Sequence, residues 1–310
     1  MSRLAVWLEL DTQFGSGDEL TRAALGWLDD GSREWFGPVR EALDRDPDPP
    51  WRRPERDSVP WGPPGSVWGQ LGVTKLVPNS LRVRRSERPP TAKGWAWLTA
   101  QLRQQPYAAD IQIRVLVDGG PALWLRADTE ETSPGWLRLN ASTNASDFEP
   151  GHPGGERWLA LVRGQAERIN PGYGQIGIWH APRGETALEN RLPVDFGRNR
   201  PQYTVGESRQ WLRGYAWVTI APQELADRLG GVAALRASGV FHEVAQLGQG
   251  GVWLQATRYF GQYDVAKATE VFEVLAPVLR PGLPQLPQPA EVERYGPFLL
   301  VYEDASTRTR

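Results

Sequence analysis

The sequence contains no cysteine and only three lysines, Lys75, Lys93 and Lys267, and three histidines, His152, His180 and His242. Without cysteine there can be no disulfide, thiolate metal site or cysteine nucleophile. The histidines stand far apart and form neither an H-x-x-x-H nor an H-E-x-x-H pattern. No zinc site is therefore expected, because zinc needs three or four ligands in a closed geometry. No apolar run approaches the length of a membrane span. The first ten residues, MSRLAVWLEL, are too short and too acidic an apolar stretch for a secretory signal, so a cytoplasmic protein is expected.

Other chemistries are missing as well. No G-x-S-x-G marks a nucleophile elbow, and no G-x-x-x-x-G-K-[ST] marks a phosphate-cradling loop. GHPGG at 151–155 follows a loop, so it is not a dinucleotide fingerprint. No cofactor is expected. With a formal net charge of -2 over 310 residues, nothing draws the chain generally to nucleic acid or anionic membrane.

What is abundant is arginine and tryptophan. Most of the fifteen tryptophans are expected in the core, but aromatic and arginine side chains also serve as interface anchors.

The N-terminal half alternates helices and strands. A first strand is predicted over 3–10, with Val6, Leu8 and Leu10 alternating. A helix follows over 18–28, capped by Ser16 or Asp18, and another over 35–43. Residues 44–69 are dense in proline, glycine and charge, which argues against regular structure; with Trp51, Trp61 and Trp68 in it, the stretch reads as an ordered loop, with a flexible linker as the alternative. One strand is predicted within 71–84, then a helix over 93–104. Strands over 111–117, 122–127 and 136–140, separated by turn residues, read as a meander.

In the C-terminal half, a helix is predicted over 154–169, a strand over 175–180 and a loop over 181–210. The richest stretch runs from Gly214 to Thr257. It reads as strand (215–220), helix from Pro222, a Gly230-Gly231 break, a second short helix ended by Gly239, and a hairpin whose two strands meet at Gln249-Gly250-Gly251. A long helix over 263–279 and a last strand over 298–302 close the chain. The fold class expected is α+β, with an antiparallel or mixed sheet bearing helices on one face. Halves of 1–150 and 151–310 repeat the same order of elements, which admits two similar half-domains.

The segments WVT…L..RLGG..AL and VWLQAT, the latter following a Gly-Gly turn, resemble the type VI secretion immunity family whose type member is TsiV. GYGQIGI at 172–178 and PVDFGRNRPQY at 193–203 stand where that family has a strand and a basic, aromatic-ended loop. The resemblance runs from about Trp158 to Pro281. It implies an immunity protein that binds a cognate toxin effector and occludes it.

The candidate partner-binding residues are Trp179, His180, Arg198, Arg200 and Tyr203, chosen because aromatic and basic side chains gather there in a long loop. Asp195 can pair with Arg198 or Arg200. The alternatives are a carboxylate-based hydrolase using Asp128, Glu130 or Glu131, and a structural or interaction protein of a secretion or phage-like system. Those three acids are expected to face water on a turn.

Overall fold

The computed structural model describes residues 5–45, 65–77, 82–115, 122–130, 133–178, 204–282 and 303–308. Its strands are β1 (Ala5–Gln13), β2 (Val67–Leu76), β3 (Val83–Arg88), β4 (Ala108–Val115), β5 (Ala122–Thr129), β6 (Trp136–Asn144), β7 (Tyr173–Ile178), β8 (Val218–Ala221), β9 (Glu243–Gln246) and β10 (Val252–Gln255). Its α-helices are α1 (Gly17–Leu25), α2 (Gly31–Arg45), α3 (Ala92–Leu102), α4 (Pro153–Ile169), α5 (Gln223–Arg228), α6 (Gly231–Ala237) and α7 (Val265–Leu275). This is the expected α+β class, and every strand pair described below is antiparallel.

The chain divides into two compact units. One comprises Met1–Gln13, Thr132–Trp136 and Asn144–Arg310; the other comprises Phe14–Glu131 and Leu137–Thr143. In the second, strands run in the order β3-β2-β4-β5-β6. Alternation gives this sheet two unlike faces. Leu71, Val73, Ile111, Ile113, Leu123, Leu125, Leu137 and Leu139 are buried on one face. Against them lie α2, α3 and a π-helical turn, Gly26–Asp30. The helices contribute Trp27, Leu28, Phe36, Leu43, Leu98 and Leu102 to this core.

Local chemistry sets the helix ends. Ser16 caps α1 by accepting from the Glu19 N–H, and Thr91 caps α3 by accepting from the Gly94 N–H. Pro38 lies inside α2 and cannot donate to the helix ladder. The helix kinks two residues earlier, at Phe36 (φ -121°, ψ 35°). The single strand expected within 71–84 is a hairpin, β2 and β3, closed by Val77 N–H donating to the Arg82 carbonyl. Within the expected loop 44–69, Trp68 belongs to β2 and is buried.

The other unit orders its strands β1-β7-β8-β10-β9. Leu8 and Leu10 of β1 lie on one face, and Thr12 on that face donates to the Ile169 carbonyl at the end of α4. The stretch 214–257 holds the predicted order of elements, with its first strand at Val218–Ala221 instead of 215–220. Pro222 occupies the cap position of α5, Gly230 (φ +85°) makes the left-handed break before α6, and Gly239 (φ +67°) ends α6. Trp217 packs edge-on against Phe148 and Phe260, both at 5.4 Å, and its indole N–H donates to the Thr257 carbonyl. Helix α7 is shorter than the 263–279 expected: Asp264 caps its start and a 3₁₀ turn, Ala276–Val278, follows it.

Candidate functional site

Leu8 and Leu10 face α4, so the odd positions of β1 face the other way. Two of them are Glu9 and Asp11, both fully buried. Carboxylates in that setting need a cation and donors. Arg213 supplies the charge from a segment distant in sequence. Its Nη1 donates to Glu9 Oε1 at 3.0 Å and also to Asp11 Oδ2, and its Nε donates to Thr204 Oγ1 at 3.3 Å.

Gln175, directly opposite Glu9 on β7, donates to Glu9 Oε2 at 3.0 Å, and the Trp7 indole donates to the same oxygen at 3.2 Å. The guanidinium lies over the Tyr173 ring, 5.3 Å from its centre. Loss of water lowers the Arg213 pKa, although Glu9 opposes that shift. A bridge from Leu212 to Leu279 fastens the same segment to the end of the α7 region.

This network fixes Thr204 and Arg213, the described residues that follow the candidate partner-binding segment. β7 ends at Ile178, and the described residues resume at Thr204. Trp179, His180, Arg198, Arg200 and Tyr203 lie between, outside the described residues, as does Asp195. The structure therefore places the two ends of the candidate loop and not its side chains.

The second polar site is the face of the β3-β2-β4-β5-β6 sheet opposite its helices. Cross-strand register lines up Glu87, Gly72, Asp110, Arg126 and Asn140 in one row. In the next row stand Arg85, Thr74, Ala108, Asp128 and Arg138. Arg85 reaches over Gly72 to hold the buried Asp110 with two bonds, Nη1 to Oδ2 at 2.6 Å and Nη2 to Oδ1 at 2.8 Å. A Cβ at position 72 would strike that guanidinium. The bond to Asp110 is the main reason the Arg85 pKa is raised.

Arg126 Nε holds Asp128 at 2.8 and 2.9 Å, and Asn140 Nδ2 donates to Asp128 at 2.9 Å. Burial works to lower the Arg126 pKa, but Asp128, with smaller contributions from Asp110 and Tyr107, makes the net shift upward. Arg138 pairs with Glu130 at 2.7 Å.

Asp128 and Glu130 were expected on a solvated turn, and the structure corrects this. β5 continues to Thr129, which keeps Asp128 in the ladder, and both acids are buried in arginine pairs. They do share a neighbourhood. Burial first, and then the charges of Asp128 and Glu130, push the Tyr107 pKa up. Glu131 is outside the described residues.

His152 is exposed, and its ring nitrogen caps α4 by accepting from the Gly154 N–H at 3.1 Å. His242 is exposed just before β9, and His180 is not among the described residues. Among the described residues, no cluster of three or more histidines and acids could hold a metal ion, and no helix is long and apolar enough to cross a membrane.

The network at Glu9, Asp11 and Arg213 escaped the sequence reading. One signal was available: two carboxylates at alternate positions of an otherwise apolar strand share a face and require a cation. Nothing local to Arg213 identifies it as that cation.

The fold and these sites define an α+β protein on antiparallel sheet whose polar faces are neutralised from within by arginine. Such a fold is found in a solved Pseudomonas aeruginosa structure, T6SS protein PA0821, where T6SS denotes type VI secretion system. The likeness has a TM-score of 0.52 at 12% sequence identity and covers 92% of this chain and 76% of that one. At that identity it shows the fold alone. No model of a known protein family matches the chain, and no curated protein matches it. The resemblance to the TsiV-like family thus rests on its motifs.

Proposed function

We propose that this chain is a binding protein that neutralises a toxin effector by covering it, an immunity protein of a type VI secretion system. The observation that carries this reading is the fold shared with a T6SS protein over 92% of the chain. The motifs between Trp158 and Pro281 point the same way.

The binding surface is the loop from Trp179 to Tyr203. Its return end is held by Arg213 on Glu9 and Asp11 and by Leu212 on Leu279. Fixing the residues that flank a binding segment limits the freedom lost on binding, which favours affinity. Arginine forks such as Arg198 and Arg200 suit the carboxylates of a partner, and Trp179 and Tyr203 supply apolar area. His180 follows Trp179 in sequence and adds a second aromatic, polar ring to the same surface. The binding needs neither cofactor nor metal. Toxin and antidote meet in the cytoplasm.

The test is complex formation with the product of an adjacent effector gene, followed by titration of alanine variants. The expected result is a stable complex in which Trp179→Ala, Arg198→Ala and Arg200→Ala each weaken binding at least about tenfold, or about 1.4 kcal/mol. A complex unaffected by all three rejects this loop as the surface. The absence of any complex rejects the function.

A further inference from the structure

Among the described residues, β3 ends the strand order of its unit. It pairs with β2 over six unbroken residues, and five of its own six residues are exposed. Val83 is 55% exposed. The outer edge of such a strand offers backbone N–H and C=O groups to another strand.

Its charge selects the occupant. Val83–Arg88 holds three arginines against one glutamate. Arg85 and Glu87 pair with each other at 2.7 Å on the face that also holds Asp110. The positive excess therefore lies on the opposite, helix-bearing side, at Arg84 and Arg88, with the Arg88 guanidinium 5.4 Å from the centre of the Trp97 ring on α3. Four residues along a strand put Arg84 and Arg88 about 13 Å apart on one side.

We infer that β3 is a strand-addition edge for an extended acidic segment of a partner protein, with acids four residues apart on the segment facing Arg84 and Arg88. A second copy of this chain fits less well. A twofold pairing centred on Ser86, with helices on the same side, sets Arg84 opposite Arg88 twice, and like charges directly opposite are destabilising. Resting on the binding reading above, this names a second contact and the chemistry of the segment that makes it.

The test uses uniformly ¹⁵N-labelled protein. The probe is a blocked eight-residue peptide of threonine and valine with glutamate at its second and sixth positions. The control carries lysine at those two positions. At millimolar peptide, the glutamate probe should shift the amides of residues 82–88, slow their exchange with solvent, and bind more weakly as salt rises. The double variant Arg84→Glu, Arg88→Glu should lower the affinity at least about tenfold. Both side chains are exposed, and an unchanged melting temperature would verify folding.

Equal binding of the lysine peptide, or no shift with either, would overturn the inference and leave the arginines as guards against aggregation. So would edge protection that grows with protein concentration alone, since the occupant would then be a second copy. Loss of neutralisation in cells with peptide binding intact would sink the proposed function alone. An effector complex indifferent to the double variant would sink only this edge.

Discussion

Arg213 and Glu9 meet at 3.0 Å across 204 residues of sequence, both fully enclosed. Asp11 shares the same guanidinium. Removing that guanidinium would leave two buried carboxylates without its charge. Arg213→Met is expected to cost about 3–5 kcal/mol in urea unfolding, the range for breaking a buried pair. Adding Glu9→Gln and Asp11→Asn to that variant should recover a large part of the loss. A cost below about 1 kcal/mol for Arg213→Met alone would mean that the carboxylates are not enclosed as described.

Gly72 leaves the space that Arg85 crosses to reach Asp110. Gly72→Ala should displace the guanidinium and cost about 1–3 kcal/mol. The stronger check is a double-mutant cycle. With alanine at 72 the ion pair is already broken, so Arg85→Ala should add little to that background. Additive costs would show that the two positions act independently.

Tyr263 is buried, and its hydroxyl has no hydrogen-bond partner among the described residues. Burial raises its pKa well above the usual tyrosine value. The folded state then holds the proton at pH values where the unfolded chain, with a pKa of about 10, releases it. The stability due to the neutral ring is fully present below about pH 10 and declines as pH climbs beyond it. Tyr263→Phe should be neutral or stabilising by up to about 1 kcal/mol at pH 7, because no partner is lost. It should also flatten the fall in stability above pH 10. A loss of several kcal/mol at pH 7 would reveal a partner for the hydroxyl.

Much of this fold is legible from local chemistry. Ser16 before an apolar-periodic run, Pro222 and Gly230-Gly231 around α5, and the Gly-Gly turn between β9 and β10 each act within a few residues, and all appear in the structure. The β2–β3 hairpin was hidden because the arginine-rich β3 lacks apolar alternation. Its placement depends on Arg85 and Asp110, two strands away. The polar network at Glu9 was hidden by distance along the chain. Candidate partner-binding residues were chosen by composition, and their side chains lie outside the described residues.

The central claim is that the chain protects a cell from a toxin effector. It is tested most directly by survival: the adjacent effector gene is induced in cells with and without this chain, and colonies are counted. The account predicts that survival is restored by the intact chain and reduced by the Trp179→Ala, Arg198→Ala, Arg200→Ala triple variant at equal protein level. Equal killing with and without the intact chain would contradict it.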